Sequence, residues 1–186
     1  MTNMRPLSLK HIVRSLCLTV VSGILFSACG AVPLTGRKQI LLVSDQEIFQ
    51  AGLVQYKEYL NTAVISSDQA STDIVKGVGR KLADATEMYL RASGLEHEIA
   101  NFDWEFNLIK DSQINAFCMP GGKIVVYEGL LSVARTPDEL AVVLGHEIAH
   151  AVAKHSNERM SLQILTQYGI ALISSALSEK SVAVRD

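Results

Sequence analysis

The sequence is poor in cysteine. Cys17, Cys29 and Cys118 are the only three among 186 residues, too few for a scaffold built on disulfides. Positive charge is not in excess: 17 Lys and Arg face 19 Asp and Glu, a formal net charge of −2. A surface made for polyanions is therefore excluded, and nucleic acid is not an expected partner. Repeats and low-complexity stretches are absent. With 48% apolar and 19% charged residues, the disordered and collagenous classes are excluded as well. Long hydrophobic runs are also missing. The runs at residues 16–28 and 162–177 fall short of the roughly 20 apolar residues that cross a bilayer as a helix. What remains is a chain long enough for one domain with a real core.

The amino terminus reads as an address. Arg5, Lys10 and Arg14 precede the charge-free run at residues 16–28, and small residues close it; this is the layout of a secretory signal. The end of the run, Leu25-Phe26-Ser27-Ala28-Cys29, resembles the lipobox of bacterial lipoproteins, although Leu is commoner where Phe26 stands. The resemblance implies cleavage before Cys29 and acylation of its thiol, which together make a durable membrane anchor. Gly30 follows, where Asp would favour the inner membrane. The expected location is then the periplasmic face of an outer membrane. An ordinary signal peptide, or an uncleaved anchor with a chance cysteine, is the alternative. Cleavage removes three basic residues and no acid, leaving 14 basic against 19 acidic residues, net −5. Cys118 then has no partner within the chain: it is a buried free thiol or half of a bridge completed elsewhere.

Residues 1–28 are thus a signal, 29–43 a tether with a first strand at 39–43, and 44–186 the folded domain. Ser44 and Glu47 form a plausible capping box for a helix to about Leu60. Ile74, Val75, Val78, Leu82 and Ala85 recur at helical spacing in a second helix that Gly94 ends. Residues 104–109 alternate as a strand. Residues 114–119 are a second extended piece, stopped by Pro120-Gly121-Gly122, and 123–127 a third. Gly129-Leu130-Leu131 opens a short helical turn. Thr136-Pro137-Asp138-Glu139 is a strong helix start, and that helix is expected to run unbroken to about Leu165. The fold class is α+β, with helices on a small, mostly antiparallel sheet.

Inside that last helix lies His146-Glu147-Ile148-Ala149-His150. At about 100° per residue, His150 lies about 40° around from His146 and one turn along. Both imidazoles leave one face and can hold one Zn2+. Glu147, on the flank, can reach a water at the metal without being a ligand and can act as general base. Apolar residues cover almost every side of this helix, which predicts burial. Two histidines and a glutamate buried there need partners, and a metal accounts for all three. His155, five residues after His150, projects about 180° from His146 on a continuous helix, so it is expected either to be structural or to support a metal ligand from behind, and not to bind the metal itself. Glu158 lies about 12 Å along the axis from His150, out of reach. His11 and His97 read as signal and surface residues.

Four stretches carry a family resemblance: Thr35-Gly36-Arg37, residues 115–122 (Asn115-Ala116-Phe117-Cys118-Met119-Pro120-Gly121-Gly122), Tyr127-Glu128-Gly129-Leu130-Leu131, and residues 146–160. Together they resemble the gluzincin metallopeptidases of the HtpX and CAAX-protease type, which include the periplasmic BepA and LoiP. The lipobox points to their lipoprotein branch. The resemblance implies a zincin-like fold, with His146 and His150 as zinc ligands and Glu147 as the catalytic glutamate. It also implies that Asn115 and Ala116 belong to an edge strand whose free backbone groups pair with an extended substrate. The implied function is zinc-dependent endopeptidase action on unfolded or misassembled envelope proteins. The family's third ligand, a glutamate in a Glu-x-x-x-Asp-like segment, has no match after His150. The chain is therefore expected to be the front part of a longer protein. The alternative is an impaired homologue that holds peptides in the manner of a chaperone.

Overall fold

The computed structural model describes residues 19, 29–33 and 35–182; the expected signal otherwise lies outside them. The chain opens with a two-stranded antiparallel ribbon, β1 (Cys29–Ala31) and β2 (Lys38–Ile40), with Cys29 opposite Ile40. The turn between them closes through Val32 N–H to the Arg37 carbonyl at 2.8 Å and Gly36 N–H to the Val32 carbonyl at 2.9 Å. The expected strand at residues 39–43 stops at Ile40. The Leu42 N–H donates instead to Ser161 Oγ at 2.8 Å, and the Val43 carbonyl accepts from Asn157 Nδ2 at 2.9 Å.

Helix α1 (Asp45–Thr62) starts at the expected capping box of Ser44 and Glu47, with both reciprocal bonds present. Helix α2 (Gln69–Ala92) is capped by Asp68, and Gly94 beyond it takes φ +71°, a left-handed conformation that costs glycine nothing. A short 3₁₀ turn, Glu96–Asn101, follows. Strands β3 (Glu105–Ile109), β4 (Ala116–Met119) and β5 (Lys123–Tyr127) form one sheet in the order β3-β5-β4. A second 3₁₀ turn, Glu128–Ser132, leads to α3 (Pro137–Val152) and α4 (His155–Val182).

The architecture is α+β, but the sheet is mixed rather than mostly antiparallel: β4 and β5 are antiparallel, β3 and β5 parallel. The reason is in β5. Residues 123–126 are all buried, as suits a central strand covered on both faces. The tight turn at Pro120-Gly121-Gly122 returns the chain from β4 into the place beside β3.

One face of the sheet carries Phe106, Leu108, Ile124 and Val126 against α2 (Val75, Ala83, Leu90) and α3 (Leu140, Leu144, Ile148, Val152). The other carries Ile109 and Val125 against Tyr56 of α1, where the Phe117 ring meets those of Tyr59 and Tyr127 edge-on. Each such side chain contributes about 1.5–3 kcal/mol on burial. No helix of the described residues is long and apolar enough to cross a membrane.

Two expectations for the zinc-motif helix are corrected. It is not buried all round: Leu140, Leu144, Ile148 and Val152 form one buried stripe, while Val142 is 74% exposed and His146 and His150 are exposed. Nor is it continuous to Leu165. The chain breaks at Ala153-Lys154, and Lys154 takes φ +57°. No glycine or proline marks the break. It is set by long-range contacts, because the Lys154 ammonium lies 2.7 Å from Asp45 Oδ2 and 2.8 Å from Glu98 Oε1. Burial works against that charge, but the two carboxylates outweigh it and hold the lysine pKa above its ordinary value. Beyond the break, buried Asn157 and Ser161 tie the start of α4 to residues 42–45.

Candidate metal centre

Thr136 and Glu139 form the capping box of α3, and Pro137 occupies its first turn. The buried stripe then fixes the helix's rotation against α2 and the sheet, and that rotation places His146 and His150 on the open side. Their rings stand edge to face with centroids 4.4 Å apart. The two Nε2 atoms are 2.9 Å apart. Two imidazoles on a tetrahedral zinc, each at about 2.0–2.1 Å, would hold their nitrogens about 3.3 Å apart. The pair is thus within a few tenths of an ångström of that spacing, and it fits two of the four positions. Among the described residues no group of three His, Cys, Asp or Glu could hold a metal ion.

Glu147 is half-buried on the flank of α3. Its charge is felt by the half-buried Cys118 of β4, whose thiol is pushed up to about 12, mainly by burial and secondarily by Glu147. The thiol is free, with no disulfide partner, and donates to the Met119 carbonyl at 3.4 Å.

Strand β4 is an edge. The Tyr127 N–H donates to the Asn115 carbonyl at 3.1 Å, so Asn115, Phe117 and Met119 face β5 with their backbone groups. Ala116 and Cys118, in the alternate register positions opposite Val126 and Ile124, turn theirs outward. No backbone group among the described residues pairs with that outer edge. The other edge is covered: Ile65 bridges Ile109, and Lys110 N–H donates to the Val64 carbonyl at 2.7 Å. The two expected substrate-strand residues therefore differ, since Ala116 presents free backbone groups and the Asn115 carbonyl is used within the sheet. Cys29, the expected lipidation site, opens β1.

Two further contacts border the histidines. His155 was expected to face away from the motif. After the break at Lys154 it instead stands against His150, with ring centroids 4.8 Å and Nδ1 atoms 2.5 Å apart. Burial lowers the His155 pKa, the charge of His150 acts in the same direction, and Glu158 opposes both. Glu158 stays out of reach of the metal pair, as expected, and accepts a two-pronged bond from Arg37, at 2.7 Å from Nη1 and 2.6 Å from Nη2. That bond holds the Glu158 carboxyl below its usual range. A cleft of about 470 Å³ results, with Val32, Thr35 and Arg37 on one side and His146, His150 and His155 on the other. The only sequence signal for this arrangement was the change from an apolar to a polar run at Lys154.

Comparison with known proteins agrees with the motif. The family model described as peptidase family M48 matches residues 78–186. The mitochondrial metalloendopeptidase OMA1 of Schizosaccharomyces pombe is 46% identical over 63 residues, 34% of this chain and 19% of that protein. The metalloendopeptidase OMA1 of Bos taurus is 27% identical over 139 residues, 73% of this chain and 25% of its own. The putative beta-barrel assembly-enhancing protease of Vibrio cholerae is 27% identical over 150 residues, 76% of this chain and 28% of its own. The chain thus matches 19–28% of the length of these relatives.

Proposed function

The chain belongs to peptidase family M48, and from that premise we propose that it is a zinc-dependent endopeptidase of the bacterial cell envelope, acting on unfolded or misassembled envelope proteins. The observation that carries the reading is the convergence of His146 Nε2 and His150 Nε2 at 2.9 Å on one helix face, with Glu147 beside them. The relatives, metalloendopeptidases and a putative beta-barrel assembly-enhancing protease, support it.

His146 and His150 would hold the metal. Zinc there supplies a Lewis acid for the scissile carbonyl and lowers the pKa of water to about 7. An extended substrate adds to the outer edge of β4 through the backbone groups of Ala116 and Cys118. Such pairing reads main chain more than side chains, which suits unfolded clients of many sequences. Glu147 takes the proton of the attacking water and delivers it to the leaving amine. The expected result is cleavage of unfolded casein by the full-length protein and its loss in Glu147→Gln. Equal cleavage by both ends the reading.

The envelope location rests on the lipobox-like sequence before Cys29. Since β1 begins at Cys29 and the cleft wall at Val32, an acyl anchor there would hold the site within about 10 Å of chain from the membrane. Labelling with a fatty-acid analogue, abolished in Cys29→Ala, is the expected result, and label retained in that variant contradicts it.

A second reading follows from the donor count. With no three-ligand group among the described residues, the same free edge could serve a peptide-binding module without catalysis. Peptide binding by a protein that takes up no zinc would favour it.

A further inference from the structure

We propose that His155 is a positioning residue that fixes the tautomer and ring orientation of His150, and so sets its strength as a metal ligand. The inference rests on the proposed role of His150. It adds a residue that the zinc motif does not contain and that helical periodicity places on the wrong side.

The argument starts from protons. An imidazole that ligates through Nε2 must keep a lone pair there, so its proton sits on Nδ1. His150 Nε2 faces His146 Nε2 at 2.9 Å, and His150 Nδ1 faces His155 Nδ1 at 2.5 Å. Two assignments satisfy both contacts, and only one leaves the His150 Nε2 lone pair free for a metal: His150 Nδ1–H donates, His155 Nδ1 accepts, and His155 carries its own proton on Nε2. A hydrogen bond to the far nitrogen is the usual device that fixes a ligating histidine and raises its basicity. Here a second histidine supplies it.

The position of His155 is fixed from both sides by contacts far away in sequence. Lys154 is pinned by Asp45 and Glu98. Glu158, one turn on, is pinned by Arg37. The left-handed Lys154, at φ +57°, turns the chain so that a residue five positions after His150 reaches back to it. On an unbroken helix the two side chains would diverge by about 140°. The break, its ion pairs and the His150–His155 contact are therefore parts of one arrangement.

The test measures zinc affinity of the full-length protein by chelator competition in wild type, His155→Ala and His155→Asn, with the thermal midpoint of each taken in EDTA. Loss of such an outer partner weakens metal binding by about 10–100-fold, and that is expected of His155→Ala. His155→Asn, which keeps an acceptor near the old Nδ1, is expected to restore affinity to within about threefold, with metal-free midpoints unchanged. Equal zinc affinity in wild type and His155→Ala overturns the proposal. Long-range proton–nitrogen spectra of the metal-free protein separate this from the metal reading. His150 protonated on Nδ1 in wild type, and on Nε2 in His155→Ala, supports the proposal even if wild type takes up no zinc. A His150 tautomer indifferent to His155 overturns it.

Discussion

Lys154 Nζ meets Asp45 Oδ2 at 2.7 Å across 109 positions of chain, and this contact decides where the zinc-motif helix stops. Asp45 is the first residue of α1, so its carboxylate also lies at the positive end of that helix. The same ammonium reaches Glu98 at 2.8 Å, tying α1 and the first 3₁₀ turn to the break. His155 and Glu158 owe their places to it.

Replacing Lys154 separates the two ingredients of that break. Lys154→Ala removes the ion pairs and leaves a left-handed alanine. Lys154→Gly removes the same pairs but relieves the backbone. The lysine side chain is 14% exposed, so the lost pairing should cost about 2 kcal/mol, below the range for a fully buried charge. Lys154→Gly should then be about 1 kcal/mol more stable than Lys154→Ala. Urea unfolding measures both. A glycine variant no more stable than the alanine variant would refute the left-handed assignment.

Helix α2 offers a paired test of packing. A Cβ on Gly79 would lie 2.3 Å from the Phe106 ring, whereas one on Gly77 meets nothing within 4 Å. Gly79→Ala should destabilise by about 1–3 kcal/mol through overpacking. Gly77→Ala, at an exposed helical site, should stabilise by up to about 1 kcal/mol. Thermal or urea midpoints moving the same way in both variants would contradict the packing described.

The Cys118 thiol, pushed up to about 12 by burial and by Glu147, should remain protonated at neutral pH and react slowly with iodoacetamide until the protein unfolds. The folded pKa lies above the unfolded one, near 8.5. The group's stabilising contribution is therefore complete below about pH 8.5 and is lost as pH climbs toward 12. Wild type should lose more stability than Cys118→Ala between about pH 9 and 11. Equal losses, or rapid native alkylation at pH 7, would contradict this account.

What was legible in the sequence was local. The Ser44–Glu47 and Thr136–Glu139 boxes act within one turn, and both helices start where they predict. His146 and His150 share a face because four residues make about one turn, whatever surrounds them. Strand order was not legible: residues 123–127 read only as a third strand, and its central place between β3 and β4 is set by contacts along the whole sheet. The break at Lys154 left almost no local trace, being set by Asp45 and Glu98 from elsewhere in the chain. With the break hidden, periodicity sent His155 to the wrong side, whereas Glu158 stays away from the metal pair as expected and bonds Arg37.

The most direct test is the metal content of purified full-length protein after dialysis against zinc, measured by elemental analysis in wild type, Glu147→Gln and the double variant His146→Ala/His150→Ala. The account predicts close to one zinc per chain in wild type and in Glu147→Gln, and none in the double variant. Wild type holding no more zinc than the double variant would contradict it.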